Sequence, residues 1–350
     1  MAAEENRMAS LRTTRLVALF LLCILALGAC GQDDPDEGDE TTGSIEVSND
    51  PILLPADARA IVEELNAGSD KANATIDENL QNSIETSPAR DIDDAFFKRL
   101  RALGRTTASG AARQLAEVKV YVPKQTTYPA RFMAYVQLSL VDNPGEPPTS
   151  RLRLYEKEAA DEPWKLAMYI TVPPEFPAPE VPLDADGFAQ MVNDEQDGSF
   201  KLDPSRVPEE FSNYLSGYAA GTESSIFSPG RFTSELSESY KAAVDKDAGA
   251  QITTSVSTTP GDREVQAFKT ADGGALALFS TDVVTSYAAA PGRSLSPTSG
   301  SEGLLPPGTY DTIERTVTHM VAAVVPPATS ERMVQIVGST SGVTAFEHSP

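Results

Sequence analysis

Trp164-Lys165-Leu166-Ala167-Met168-Tyr169-Ile170-Thr171-Val172 reads as a β-strand. Its larger apolar side chains recur at every second position, the period at which side chains fall on one face of a pleated sheet. Upstream, Phe132, Ala134, Val136, Leu138 and Leu140 repeat the pattern between more polar neighbours. Such alternation predicts antiparallel strands with one buried face, so Trp164 is expected in the core beside Leu166, Met168 and Ile170. Glu117–Val122 and Arg151–Lys157 are the expected partners.

Helices precede these strands. Ile61, Leu65, Ala72, Ile76 and Leu80 recur at helical spacing. A second helix is marked by Asp91 as cap, Asp93 and Asp94 at its positive end, Lys98, Arg99 and Arg101 at its negative end, and Gly104 beyond it. Phe96, Leu100 and Leu103 form its predicted buried stripe. The order then repeats. Phe211, Tyr214, Leu215 and Tyr218 have helical spacing, and Phe232, Leu236 and Tyr240 mark another helix, with Ser228 as cap, Pro229 first and a Phe227–Phe232 staple. Strands follow around Ile252–Val256, Val265–Lys269, Ala275–Tyr287, Thr312–Val325 and Met333–Val337. Helices segregated from strands, twice over, predict an α+β fold of two consecutive domains, at 51–174 and 208–350. Seven prolines in and beside residues 175–207 predict an extended connector, with a short docking helix at Phe188, Met191 and Val192.

The N-terminus has a different logic. Arg7, Arg12 and Arg15 precede Leu16–Leu27, twelve residues without a charge. As a helix that run spans about 18 Å against a bilayer core of roughly 30 Å, which suits a signal-peptide core and not a membrane span. Leu27-Gly28-Ala29-Cys30 closes it and resembles a bacterial lipobox, implying cleavage after Ala29 and acylation of Cys30. A start at Met8 leaves a cleaner leader, without Glu4 and Glu5. Residues 1–29 are therefore the expected signal peptide. Cys23 is lost with it, so Cys30 stands alone and no internal disulfide is possible. Two or more acyl chains on one cysteine, palmitate among them, anchor stably where one does not. Residues 30–50 are expected to be a solvated acidic tether, reaching about 65–70 Å when extended.

Composition narrows the function classes. Asp and Glu number 51 against 28 Lys and Arg, a net charge of −23. That balance argues against nucleic acid and against electrostatic docking on anionic lipid. An apolar content of 40% suffices for packed cores.

Two resemblances sharpen the picture. Pro163-Trp164-Lys165-Leu166 is similar to the Trp-Lys-aliphatic strand start of the nuclear-transport-factor-2-like (cystatin-like) cone fold, in which helices pack on a curved antiparallel sheet. Asn73-Ala74-Thr75-Ile76-Asp77, Ser83-Ile84-Glu85-Thr86 and the run from Val122-Pro123-Lys124-Gln125 to Phe132 resemble segments of an actinobacterial lipoprotein family of unknown function. That resemblance implies a lipobox followed by tandem cone-like domains and carries no catalytic residues.

Motifs for chemistry are sparse. His319 and His348 are the two histidines. His319 shares strand parity with Val317 and Val321, and is either a general base or a hydrogen-bonded core residue. There is no Gly-x-Ser-x-Gly elbow, and acylation removes Cys30 as a nucleophile. Asp184, Asp186, Asp194 and Asp197 lack calcium-loop spacing. Asp272-Gly273-Gly274 reads as a hairpin turn. Asp282 and Glu314 lie in strand-like runs, facing either a cavity or solvent. Tyr121, Arg153 and Tyr155 line either a polar cleft or an outer sheet face. No catalytic residue, cofactor or metal is assigned, and the ligand is open. The expectation is a lipid-anchored, non-catalytic binding or assembly module on the outer face of the cell membrane, with an envelope protein, a cell-wall component or a second copy of itself as partner. A small cavity enzyme of the same fold, of isomerase or hydrolase type, is the alternative, and an enclosed pocket holding an inward carboxylate and a hydroxyl donor would favour it.

Overall fold

The computed structural model describes residues 49–108, 113–141, 143, 145–192, 198–219 and 226–349. The expected leader with Ala29, the expected lipidation site Cys30, most of the expected tether, and Asp194 and Asp197 lie outside the described residues. The fold is α+β. Helices α1 (Pro55–Thr75), α2 (Glu78–Ile84) and α3 (Ala89–Ala102) precede strands β1 (Arg113–Tyr121), β2 (Ala130–Leu140), β3 (Thr149–Lys157) and β4 (Lys165–Val172). Helices α4 (Val207–Ala219) and α5 (Ser234–Gly249) then precede β5 (Ile252–Pro260), β6 (Gln266–Lys269), β7 (Ala275–Ala289), β8 (Thr312–Val325) and β9 (Gln335–Ser349). Both sheets are antiparallel, ordered β1-β2-β3-β4 and β5-β7-β8-β9, and β6 pairs with β7 beyond the end of β5. Among the described residues no helix is long and apolar enough to cross a membrane.

Each sheet is covered on both faces, where alternation had predicted one buried face. Phe132, Ala134, Val136 and Tyr155 pack on Ala58, Val62 and Leu65 of α1. Their neighbours Met133, Tyr135, Leu152 and Leu154 pack on Phe268, Leu276, Leu278 and Met320 of the second sheet. On the far face of that sheet, Phe279, Val283 and Val321 meet Phe211, Tyr214 and Leu215 of α4. The layers thus run helix, sheet, sheet, helix, and consecutive residues of β2 enter different apolar clusters. Burying each large side chain contributes about 1.5–3 kcal/mol relative to exposure.

A bulge corrects the predicted face of Trp164. Tyr155 pairs with Leu166, but Leu154 pairs with Met168, so Ala167 is the extra residue. Leu166 and Met168 therefore sit on opposite faces despite equal parity. Trp164 follows Leu166 and is only half-buried, edge-on to Phe132 at 5.1 Å between ring centroids.

Other departures have local causes. The first helical run breaks at Ile76, which is left-handed (φ 53°), and Asp77 recaps the chain by accepting from the Leu80 N–H at 3.0 Å. In α3, Ala89, Ile92, Ala95 and Phe97 are buried, whereas Phe96 and Leu103 of the predicted stripe are 39% and 48% exposed. Asp91 lies in its first turn and does not cap it. Ser228 does not cap a helix: it lies beside the Phe227–Val334 bridge, with its N–H on Val334 O (2.8 Å), six residues ahead of the first helical residue. Helix α5 begins at Ser234 instead, and Phe232, Leu236 and Tyr240 pack on the core as predicted. No helix forms at Phe188–Val192. That stretch is extended, with Ala189 N–H bonded to Val122 O (2.8 Å) and Val192 N–H to Ala267 O (2.9 Å).

Strand β9 runs far beyond the predicted Met333–Val337. Its glycines permit close approach. A Cβ on Gly338 would lie 2.7 Å from Val172 Cγ1, and one on Gly342 would lie 2.5 Å from Ile92 Cγ2. This middle part of β9 closes against β4 and α3.

Candidate functional site

A cavity of about 410 Å³ lies between α1, α3, the β3–β4 face and the middle of β9. Strand β3 supplies Arg151, Arg153 and Tyr155, two residues apart and so on one face. Helix α1 supplies Leu65, Ser69 and Asn73, and α3 supplies Asp93 and Phe96. Glu85, just after α2, is delivered by a parallel bridge to Leu166, with the Thr86 N–H on Leu166 O at 3.0 Å.

The lining mixes apolar side chains such as Leu65 and Phe96 with a buried polar cluster. The Tyr169 hydroxyl donates to Asp93 Oδ1 (2.6 Å), and Gln81 Nε2 donates to Asp93 Oδ2 (3.1 Å). Arg153 Nη2 donates to Asn66 Oδ1 (3.0 Å), and the Arg151 guanidinium lies 5.4 Å from the Tyr169 ring centroid. Glu85 Oε2, Arg151 Nε and Arg153 Nε are buried without a hydrogen-bond partner. Burial and then the neighbouring Asp93 push the Glu85 carboxyl up to about 9, so it is protonated at neutral pH. Burial also raises Asp93, although the bond from Tyr169 opposes this. Burial, and then Arg153, lower Arg151 to about 10, which leaves it charged at neutral pH. Burial raises the Tyr155 phenol, with Arg153 opposing.

The predicted candidates divide. Arg153 and Tyr155 face the cavity, whereas the Tyr121 hydroxyl donates to Pro179 O (2.6 Å) and lies elsewhere. His319 is a core residue. Its Nε2 is 3.1 Å from the Tyr240 hydroxyl, and burial lowers it to about 4, so it is neutral at physiological pH. His348 is exposed, with its ring 4.4 Å from that of Tyr310. Asp282 accepts from Thr318 Oγ1 (2.6 Å), and Glu314 accepts from Ser286 Oγ (2.6 Å). Asp184 Oδ1 accepts the N–H groups of Asp186 (3.0 Å) and Phe188 (2.8 Å), which makes it a turn residue. Asp272-Gly273-Gly274 forms the β6–β7 turn, with Thr270 N–H on Gly274 O at 2.9 Å. Among the described residues no group of three or more His, Cys, Asp or Glu is placed to hold a metal.

Glu85, Asp93, Arg151 and Tyr169 were missed as site residues. Arg151 and Arg153 do carry a signal, two arginines of equal parity in a strand between apolar ones. Two further cavities, each of about 420 Å³, differ in character. One holds Asp282 beside Glu156, which accepts from both Arg131 and Arg263. The other is mostly apolar, under the loop containing Leu295 and Leu305.

Residues 49–348 match the family described as Domain of unknown function (DUF8094). An uncharacterized lipoprotein of Streptomyces coelicolor is 25% identical over 294 residues, covering 82% of this chain and 81% of its own. An uncharacterized lipoprotein of Streptomyces avermitilis is 25% identical over 264 residues, covering 73% and 74%. No solved structure matches the chain.

Proposed function

We propose a binding function for this chain, which belongs to the DUF8094 family. In this reading it is a lipoprotein, cut after Ala29, acylated on Cys30 and held at the outer face of the cell membrane by that anchor. Its folded part captures a small polar molecule in the cavity between α1, α3 and the first sheet. Support for the anchor comes from the leader and from two relatives named lipoproteins. The observation that carries the binding function is the cavity itself. About 410 Å³ is in the range of small-molecule pockets, and buried polar atoms left unpaired inside it are costly unless a ligand meets them. The proposed partner is an envelope protein or cell-wall component that delivers or receives the ligand. Each half as a cone-like domain belongs to the same proposal, supported by helices packed on a face of each antiparallel sheet.

Native mass spectrometry of the protein extracted from its own membrane tests this. A stoichiometric small-molecule adduct is expected, and Ser69→Trp, which fills the cavity, should abolish it. A correctly folded protein that never carries an adduct would refute the binding reading.

A second reading, a small cavity enzyme, is favoured by one observation. Glu85, protonated at neutral pH, lies in the cavity beside Asp93 and the Tyr169 hydroxyl, a set suited to proton transfer. Release of a chemically altered ligand, with the change lost in Glu85→Gln, would select it.

A further inference from the structure

We propose that the cavity binds a small organic anion, whose carboxylate or phosphate is held by Arg151 and Arg153. The inference rests on the binding reading above and names the class of ligand.

The argument starts from β3. Arg151 and Arg153 lie two apart on one strand face, so their guanidinium groups enter the same cavity. Arg153 is only 6% exposed. Each has a buried Nε without an acceptor, and among the described residues neither lies within ion-pair distance of a carboxylate. Burying a charge without a directly paired counter-charge is expensive. Elsewhere this chain avoids the expense. Arg131 and Arg263 are also largely buried, and both bind Glu156.

The carboxyls nearest the cavity arginines do not fill that role. Asp93 and Asp70 act on Arg151 and Arg153 through space without a direct ion pair, and the Asp93 oxygens accept instead from Tyr169 and Gln81. Glu85 holds its proton in a side-chain hydrogen bond with Asp93, so it sets no second negative charge against an incoming anion. The guanidiniums are also held in place before any ligand arrives. Asn66 accepts from Arg153, and the Tyr169 ring supports Arg151. Two oriented guanidiniums with free N–H groups match the planar oxygens of a carboxylate or the tetrahedral oxygens of a phosphate.

The test uses the full-length lipoprotein in detergent, with succinate, citrate, inorganic phosphate and glucose 6-phosphate as probes, and glucose and choline as uncharged and cationic controls. Calorimetry and thermal shift should show binding of one or more anions and of neither control. Arg151→Gln and Arg153→Gln, with native circular dichroism, should weaken that binding roughly tenfold or more. Arg153→Met separates a ligand-binding charge from a structural one. Without ligand its melting temperature should hold or rise, and a clear fall would overturn the proposal. Binding of glucose or choline that survives both Gln variants but is lost in Ser69→Trp would overturn the anion class while keeping the cavity reading. Binding of no probe, together with no native adduct, would overturn both.

Discussion

Gly342 of β9 lies against Ile92 of α3 so closely that a Cβ would meet Ile92 Cγ2 at 2.5 Å. Gly338 makes the same kind of approach to β4, where the obstruction includes the Thr171 backbone oxygen at 2.8 Å. A side chain can give way and a backbone oxygen in a sheet cannot. Gly338→Ala should therefore destabilise more than Gly342→Ala, with both in the range of about 1–3 kcal/mol typical of overpacking. Urea unfolding measures this. Equal stability of Gly338→Ala and wild type would contradict the close approach.

Trp164 and Phe132 form an edge-on pair of unequal burial. Phe132 is fully buried between Tyr155 and Trp164, whereas Trp164 is half-exposed. Phe132→Ala should cost about 3–5 kcal/mol, and Trp164→Ala about 2 kcal/mol. Native Trp fluorescence should be intermediate between buried and solvent-like. A larger loss for Trp164→Ala than for Phe132→Ala would place Trp164 in the core after all.

Glu85 makes stability depend on pH above its ordinary value. Burial and Asp93 raise it from 4.5 to about 9, so between those values the folded state keeps a proton that the unfolded state releases. Its contribution is complete at low pH and is lost as pH rises through that window. Glu85→Gln keeps a neutral side chain of similar shape. The variant should show a flatter fall of stability from about pH 5 to 9 and should be relatively more stable at the alkaline end. Parallel melting-temperature curves for both proteins would count against a buried, protonated Glu85.

His319 has the opposite sign. Burial lowers it from 6.5 to about 4, so acid protonates the unfolded chain first. Its contribution is complete above about pH 6.5 and is lost as pH falls toward 4, by roughly 3 kcal/mol at most. His319→Gln retains a hydrogen-bonding group toward Tyr240 and should weaken this acid dependence. Unchanged acid unfolding of the variant would refute it.

The anchor is tested separately from the fold. Cys30→Ala should leave the protein uncleaved or release it from membranes, and mass spectrometry of the mature N-terminus should find acyl chains on Cys30. An unmodified N-terminus at any other residue would sink the lipid anchor.

The amino-acid pattern by itself determined where most strands and helices lie. The alternation in Phe132–Leu140 and the helical spacing of Phe211, Tyr214 and Leu215 are enforced by local geometry, because the periods of two and 3.6 are properties of the backbone. What those faces meet was decided by the tertiary structure. Alternation marks residues of unlike polarity on two faces, but Met133 and Tyr135 are buried too, because a second sheet covers them. The bulge at Ala167 moves Met168 across the sheet, and only pairing with Leu154 records it. The Gly- and Ser-rich middle of β9 has little intrinsic strand preference, and becomes strand through pairing with β8 beside β4 and α3. The cavity was hidden for the same reason. Glu85, Asp93, Arg151 and Arg153 come from a helix end, a helix and a strand, and their burial and shared chemistry exist only once α3 and β9 close over the first sheet.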